Sequence, residues 1–139
     1  MTSGEPAAMT EITLAERRRH LRTTANPDQR QDYVVSLTGA LRLDFLGRPV
    51  DATMRYVPDT LTLERAAFTA YLDALSATQW ASLEAVATTM LADVNNELVP
   101  RWVYVRLAAE GDGERYSITL EDRQPHWKNP SLLAHLGPP

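Results

Sequence analysis

Cysteine is absent from this 139-residue sequence, so the chain has no disulfide, no thiolate metal site and no thiol nucleophile of its own. Lysine is nearly absent: Lys128 stands alone, close to the C-terminal end. The three histidines, His20, His126 and His135, are scattered and lack the short spacings that would put two metal ligands on one strand or helix face. Six glycines are dispersed without a phosphate-cradling loop, and no Gly-x-Ser-x-Gly elbow occurs. No run of about 18 apolar residues exists, so no transmembrane helix is expected. Met1 to Thr10 has neither a basic start nor an apolar stretch and does not read as a signal peptide, which makes the cytoplasm the expected location. A formal charge of −4 argues against nucleic-acid or anionic-membrane partners, which need a concentrated basic surface.

What is present describes an ordinary globular chain, 44% hydrophobic and 23% charged, of a length that suits one domain. Residues 1–25 read as a flexible arm with a possible short helix over 11–22, whose Arg17, Arg18, Arg19 and Arg22 are expected on a solvated face. Asn26–Pro27–Asp28 then opens the ordered domain, residues 26–122. From Tyr33 to Phe45 apolar and polar residues alternate, the signature of a half-buried strand, with Gly39 marking a bulge or bend. Leu46 to Pro49 turns the chain into a second alternating run, Val50 to Tyr56.

After Pro58–Asp59–Thr60, helical spacing takes over. Leu61, Glu64, Phe68, Tyr71, Leu72 and Leu75 share one face of a first helix. Trp80, Leu83, Ala87, Met90, Leu91, Val94 and Leu98 form the stripe of a second. Alternation returns at Val103, Val105 and Leu107 and, past Gly111–Asp112–Gly113, at Tyr116, Ile118 and Leu120. Residues 123–139 read as an irregular, Pro-rich tail. The fold class is therefore α+β, in the order β-β-α-α-β-β, with a four-stranded antiparallel sheet and both helices on its apolar face. Long unprotected edge strands imply a homo-oligomer joined through the sheet edges.

That order, together with several short motifs between Asn26 and Leu107, resembles the tunnelling fold and within it the NADPH-dependent 7-cyano-7-deazaguanine reductases. The motifs are Asn26–Pro27 with Arg30–Gln31–Asp32–Tyr33, Gly47–Arg48–Pro49, Tyr56–Val57–Pro58–Asp59, Glu64 with Tyr71, and Pro100–Arg101–Trp102. The resemblance implies a ring-forming protein whose Glu84 binds the edge of a purine-, deazapurine- or pterin-like base. It also implies that Glu64 and Tyr71 contact NADPH, although the lysines between them in the family's motif are missing here.

The family's catalytic cysteine aligns with Leu43, its aspartate with Val50 and its histidine with Leu83. Nitrile reduction by the family's thioimide route is thus excluded, and any catalysis must be non-thiol. Asp44 and Asp51, on the polar side of the first hairpin, are the candidates for proton transfer. A non-catalytic binding or scaffold subunit and a pterin aldolase- or epimerase-like enzyme remain as alternative functions. The second is weakened because Lys128 lies in the tail.

Overall fold

The computed structural model describes residues 13–111 and 113–137. The alternating runs become a four-stranded antiparallel sheet: β2 (Val35–Arg42), β3 (Pro49–Val57), β5 (Trp102–Gly111) and β6 (Glu114–Arg123), in the order β2-β3-β5-β6. The period of two puts Leu37, Met54, Val105 and Leu120 in one cross-strand row, and Gly39, Ala52, Leu107 and Ile118 in the next. Against this apolar face pack α2 (Ala67–Ser76) and α3 (Leu83–Leu98). Their stripes, Phe68, Leu72 and Leu75 from α2 and Val86, Met90, Val94 and Leu98 from α3, close the core with the strand residues. The expected α+β order and the helices on one face of the sheet are what the structure has.

Gly39 is not a bulge. Its register with Ala52 is regular, and the strand is paired without interruption from Val35 to Arg42. Its role is close approach: a Cβ there would come within 2.6 Å of Leu72 Cδ1 on α2. Gly39→Val is accordingly expected to lower unfolding free energy by about 1–3 kcal/mol through overpacking, as read by urea denaturation.

Three boundaries differ from the sequence reading. Leu61–Leu63 does not begin a helix; it is a short strand, β4, paired antiparallel with β1 (Thr23–Ala25). Three-residue strands carry too little pattern for periodicity to identify. The helix starts instead at Ala67, after Ala66 at a positive φ of 68° with no side-chain cap. Trp80 precedes α3 rather than lying on it, and its indole N–H donates to the Leu75 carbonyl at 2.8 Å, while Ser82 caps α3 by accepting from Ala85 N–H.

The segment assigned to a flexible arm is structured from Thr13 onward, and the remainder of that arm lies outside the described residues. A capping box between Thr13 and Glu16 starts α1 (Leu14–Arg19), and Leu21 is 2% exposed in the core. The basic cluster is not simply a solvated face, because Arg17 and Arg18 both reach the fully buried Asp93 of α3. The tail is likewise ordered through residue 137 and carries α4 (Pro130–Ala134). Trp127 and Asn129 donate to Asp32 at 3.2 and 3.0 Å, and the Gly137 carbonyl accepts from Arg55 at 2.7 Å. Leu133 and Leu136 thereby come over the open face of the sheet beside Trp102 and Tyr104.

The strands have two ends with different roles. At the end where β3 exits and β5 enters, Arg101 donates to Asp32 at 3.0 Å, to Asp59 at 3.2 Å and to the Gln29 carbonyl at 2.7 Å. Asn26 joins the same knot, accepting from the Tyr33 hydroxyl at 2.6 Å and donating to the Asp59 carbonyl at 2.7 Å. Burial alone would raise the Asp32 carboxyl, but hydrogen bonds from Asn129, Arg101 and Trp127 hold it below the ordinary range. At the opposite end the β2–β3 and β5–β6 turns meet the start of α3, and there the surface opens.

Candidate functional site

Glu84 is the second residue of α3, in the first turn, where an anion suits the helix dipole. The turn that follows β2 is closed by Leu46 and Gly47 N–H groups donating to the Leu43 carbonyl at 3.0 and 3.3 Å, and Gly47 supplies the positive φ of 67°. This turn brings Phe45 to the mouth of a cavity of about 330 Å³ whose wall includes Leu46, Leu83, Glu84, Ala109 and Tyr116. Tyr116 arrives from β6 on the same sheet face as the core, one row beyond the cover of the helices. Its hydroxyl donates to Glu84 Oε2.

That hydrogen bond from Tyr116 holds the Glu84 carboxyl below the usual carboxylate range, and the same contact raises the Tyr116 phenol. Glu84 is thus an anion held by the Tyr116 hydroxyl at Oε2, with its own backbone N–H as a further hydrogen bond that lowers it. Phe45 and Tyr116 are 48% and 42% exposed, two of the four large hydrophobic residues in this condition among those described. The arrangement is a carboxylate beside two exposed aromatic rings, over a wall that is mostly apolar. Chemically it suits a flat ring with N–H groups on one edge, because a carboxylate accepts at both oxygens and ring faces stack on aromatic side chains.

The structure distributes the other sequence candidates unevenly. Asp44 lies exposed in the β2–β3 turn, beside Leu43 and Trp80 rather than in the Glu84 cavity. Asp51 projects from β3 onto the open face, opposite in direction to the buried Val50 next to it. The positions aligned with the family's cysteine, aspartate and histidine, namely Leu43, Val50 and Leu83, are 3%, 0% and 4% exposed and belong to the core. Lys128 is not among the residues lining the Glu84 cavity.

Glu64 and Tyr71, the expected cofactor contacts, differ in exposure and in partners. Glu64 is exposed ahead of α2, ion-paired with Arg22 at 3.3 Å. Tyr71 is 0% exposed, and its hydroxyl donates to Asp93 at 2.6 Å inside the protein. Neither lines the cavity at Glu84. Sequence reasoning missed Tyr116 and Phe45 as site residues because each continues the apolar alternation of its strand. The signal available was position: Phe45 falls in the β2–β3 turn and Tyr116 near the start of β6, beside the β5–β6 turn.

Among the described residues no helix is long and apolar enough to cross a membrane. No family model matches the chain, and no curated protein matches it. Among solved structures the chain is similar to an archaeosine synthase described as QueF-Like, in its apo form, with a TM-score of 0.54 at 16% identity. The match covers 69% of this chain and 95% of that one. At this identity the likeness establishes a shared fold, the α+β arrangement of two hairpins separated by two helices.

Proposed function

We propose that this protein binds a planar purine-, deazapurine- or pterin-like heterocycle in the cavity at the start of α3, with Glu84 accepting from the N–H edge of the ring. The observation that carries this reading is the Tyr116-oriented Glu84 carboxylate set beside the exposed rings of Phe45 and Tyr116. A cavity of about 330 Å³ falls in the range of small-ligand pockets. The structural likeness to an archaeosine synthase supports a deazapurine among these heterocycles. Any reaction proceeds without a thiol nucleophile of this chain, and acid–base and proximity effects are what the acidic and hydroxyl side chains at the cavity offer.

A specific observation also favours a second reading, a binding or scaffold subunit without catalysis. The three positions aligned with the family's catalytic groups are core hydrophobes, so they reflect packing and not a displaced active site. In both readings copies of the chain associate through β2 and β6, the outer strands of the sheet.

Thermal-shift and calorimetric titration with 7-cyano-7-deazaguanine, guanine, neopterin and NADPH tests the first reading, with sedimentation on the same sample. Stabilisation by at least one base and not by NADPH is the expected result, with a sedimenting species larger than one chain. Stabilisation by none of the bases overturns heterocycle binding and leaves the scaffold.

A further inference from the structure

A second depression, of about 500 Å³, lies across the sheet end from the Glu84 cavity, on the open face. The two share Arg48, Ala109, Glu110 and Tyr116 in their walls, so they meet around the end of β5. Their charges differ. The Glu84 cavity sets three carboxylates, Glu84, Glu110 and Glu114, against one arginine, Arg48. The open-face depression sets three arginines, Arg48, Arg106 and Arg115, against Asp51 and Glu110. Arg115 pairs with Glu110 at 3.2 Å, whereas Arg48 and Arg106 make no ion pair among the described residues.

The two unpaired guanidiniums are positioned by the fold. Arg106 stands half-buried on β5 between Thr53 of β3 and Thr119 of β6. Arg48 follows the β2–β3 turn and lies against the backbone of Gly111, where a Cβ would come within 2.9 Å of its Cζ and Nε. The glycine therefore leaves the space in which this side chain sits at the junction of the two depressions.

We propose that the open-face depression is an anion subsite for a phosphate monoester carried by the heterocycle, so that the ligand is a mononucleotide and not a free base. Paired guanidinium forks match phosphate oxygens in geometry and charge. The acidic side takes the N–H edge of the base, and the arginine side takes the phosphate. The chain's net charge of −4 fits a small nucleotide rather than a polynucleotide. This inference rests on heterocycle binding at Glu84, and its test separates the two.

The experiment is calorimetry of the full chain with guanosine, guanosine 5′-monophosphate and inorganic phosphate, repeated on Arg106→Gln, Gly111→Ala and Glu84→Gln. The monophosphate is expected to bind on the order of 10- to 100-fold more tightly than guanosine, the range of charge-assisted hydrogen bonds. Arg106→Gln should bring it to the guanosine level with guanosine itself unaffected. Gly111→Ala, whose added Cβ meets the flexible Arg48 side chain first, should reduce the ratio of monophosphate to guanosine affinity, and it guards against a misfolded Arg106 variant. Equal affinity for guanosine and its monophosphate, or an advantage that survives both substitutions, overturns the anion subsite. Guanosine binding that Glu84→Gln removes upholds the base site even then. Monophosphate or phosphate binding that depends on Arg106 and not on Glu84 upholds the anion subsite and removes the base reading. Absence of binding by all three probes overturns both.

Discussion

Asp93→Ala is expected to lower the unfolding free energy by about 3–5 kcal/mol, the range for removing one partner of a buried charge cluster. That is a large part of the roughly 5–15 kcal/mol by which domains of this size are stable. Asp93 is 0% exposed and its two oxygens accept four hydrogen bonds. Arg17 Nε and the Tyr71 hydroxyl donate to Oδ2, both at 2.6 Å, and Arg17 Nη2 and Arg18 Nε donate to Oδ1 at 3.0 and 2.8 Å. Truncation leaves the Tyr71 hydroxyl buried without this acceptor, and leaves two guanidiniums, whose side chains are only 11% and 19% exposed, without their counter-charge. It also unfastens α1 from α3, because α1 has no buried residue of its own.

The same cluster sets an acid limit. Burial alone would raise the Asp93 carboxyl, but hydrogen bonds from Arg17, Tyr71 and Arg18 outweigh it and hold the group below its ordinary value. Burial, reinforced by the adjacent Asp93 charge, pushes the Tyr71 phenol far up, so it remains a donor throughout the working range. A depressed carboxylate contributes stability that is present above its unfolded value, about pH 4, and is lost as pH falls through the lower folded value. Urea melts at pH 7 and pH 3 should therefore show the native protein losing stability in acid, with a flatter dependence in Asp93→Ala. A loss under 1 kcal/mol at pH 7 would show that water already serves these groups.

The sheet was legible because each long strand buries only one face, so Leu37, Met54, Val105 and Leu120 repeat at every second position. Asp93 was not legible. It sits between Leu91 and Val94 in an otherwise apolar stripe, and its cationic partners are 75 and 76 residues away. Tyr71 carried a motif-based expectation of cofactor contact, while its hydroxyl serves this inner cluster. The motifs at Asn26, Asp32, Tyr33, Asp59 and Arg101 meet in space, but in a structural knot at the end of the sheet opposite Glu84. They therefore identify the fold through the residues that tie its strand ends together, and say little about the site. Glu84 was visible at the border of a helical stripe; its partners Phe45 and Tyr116 were hidden by obeying the same alternation as the core.

Glu84→Gln is expected to weaken base binding on the order of 10- to 100-fold, measured by calorimetry, without a change in fold. The substitution conserves shape and removes charge from an exposed residue that no core contact requires. Its effect on a ligand is directional: the amide can offer one oxygen where the carboxylate offers two, and an N–H of the amide facing a ring N–H leaves two donors opposed. Tyr116→Phe should produce a smaller loss, because the ring remains while the carboxylate loses its orienting donor. Tyr116→Ala, removing ring and donor together, should exceed it by the stacking contribution, on the order of several-fold. In the double variant Glu84→Gln with Tyr116→Phe the losses should fall short of the sum of the single ones, since the hydroxyl acts only through the carboxylate. Equal affinities across Glu84→Gln would return this glutamate to the helix surface and leave the cavity without an anchor.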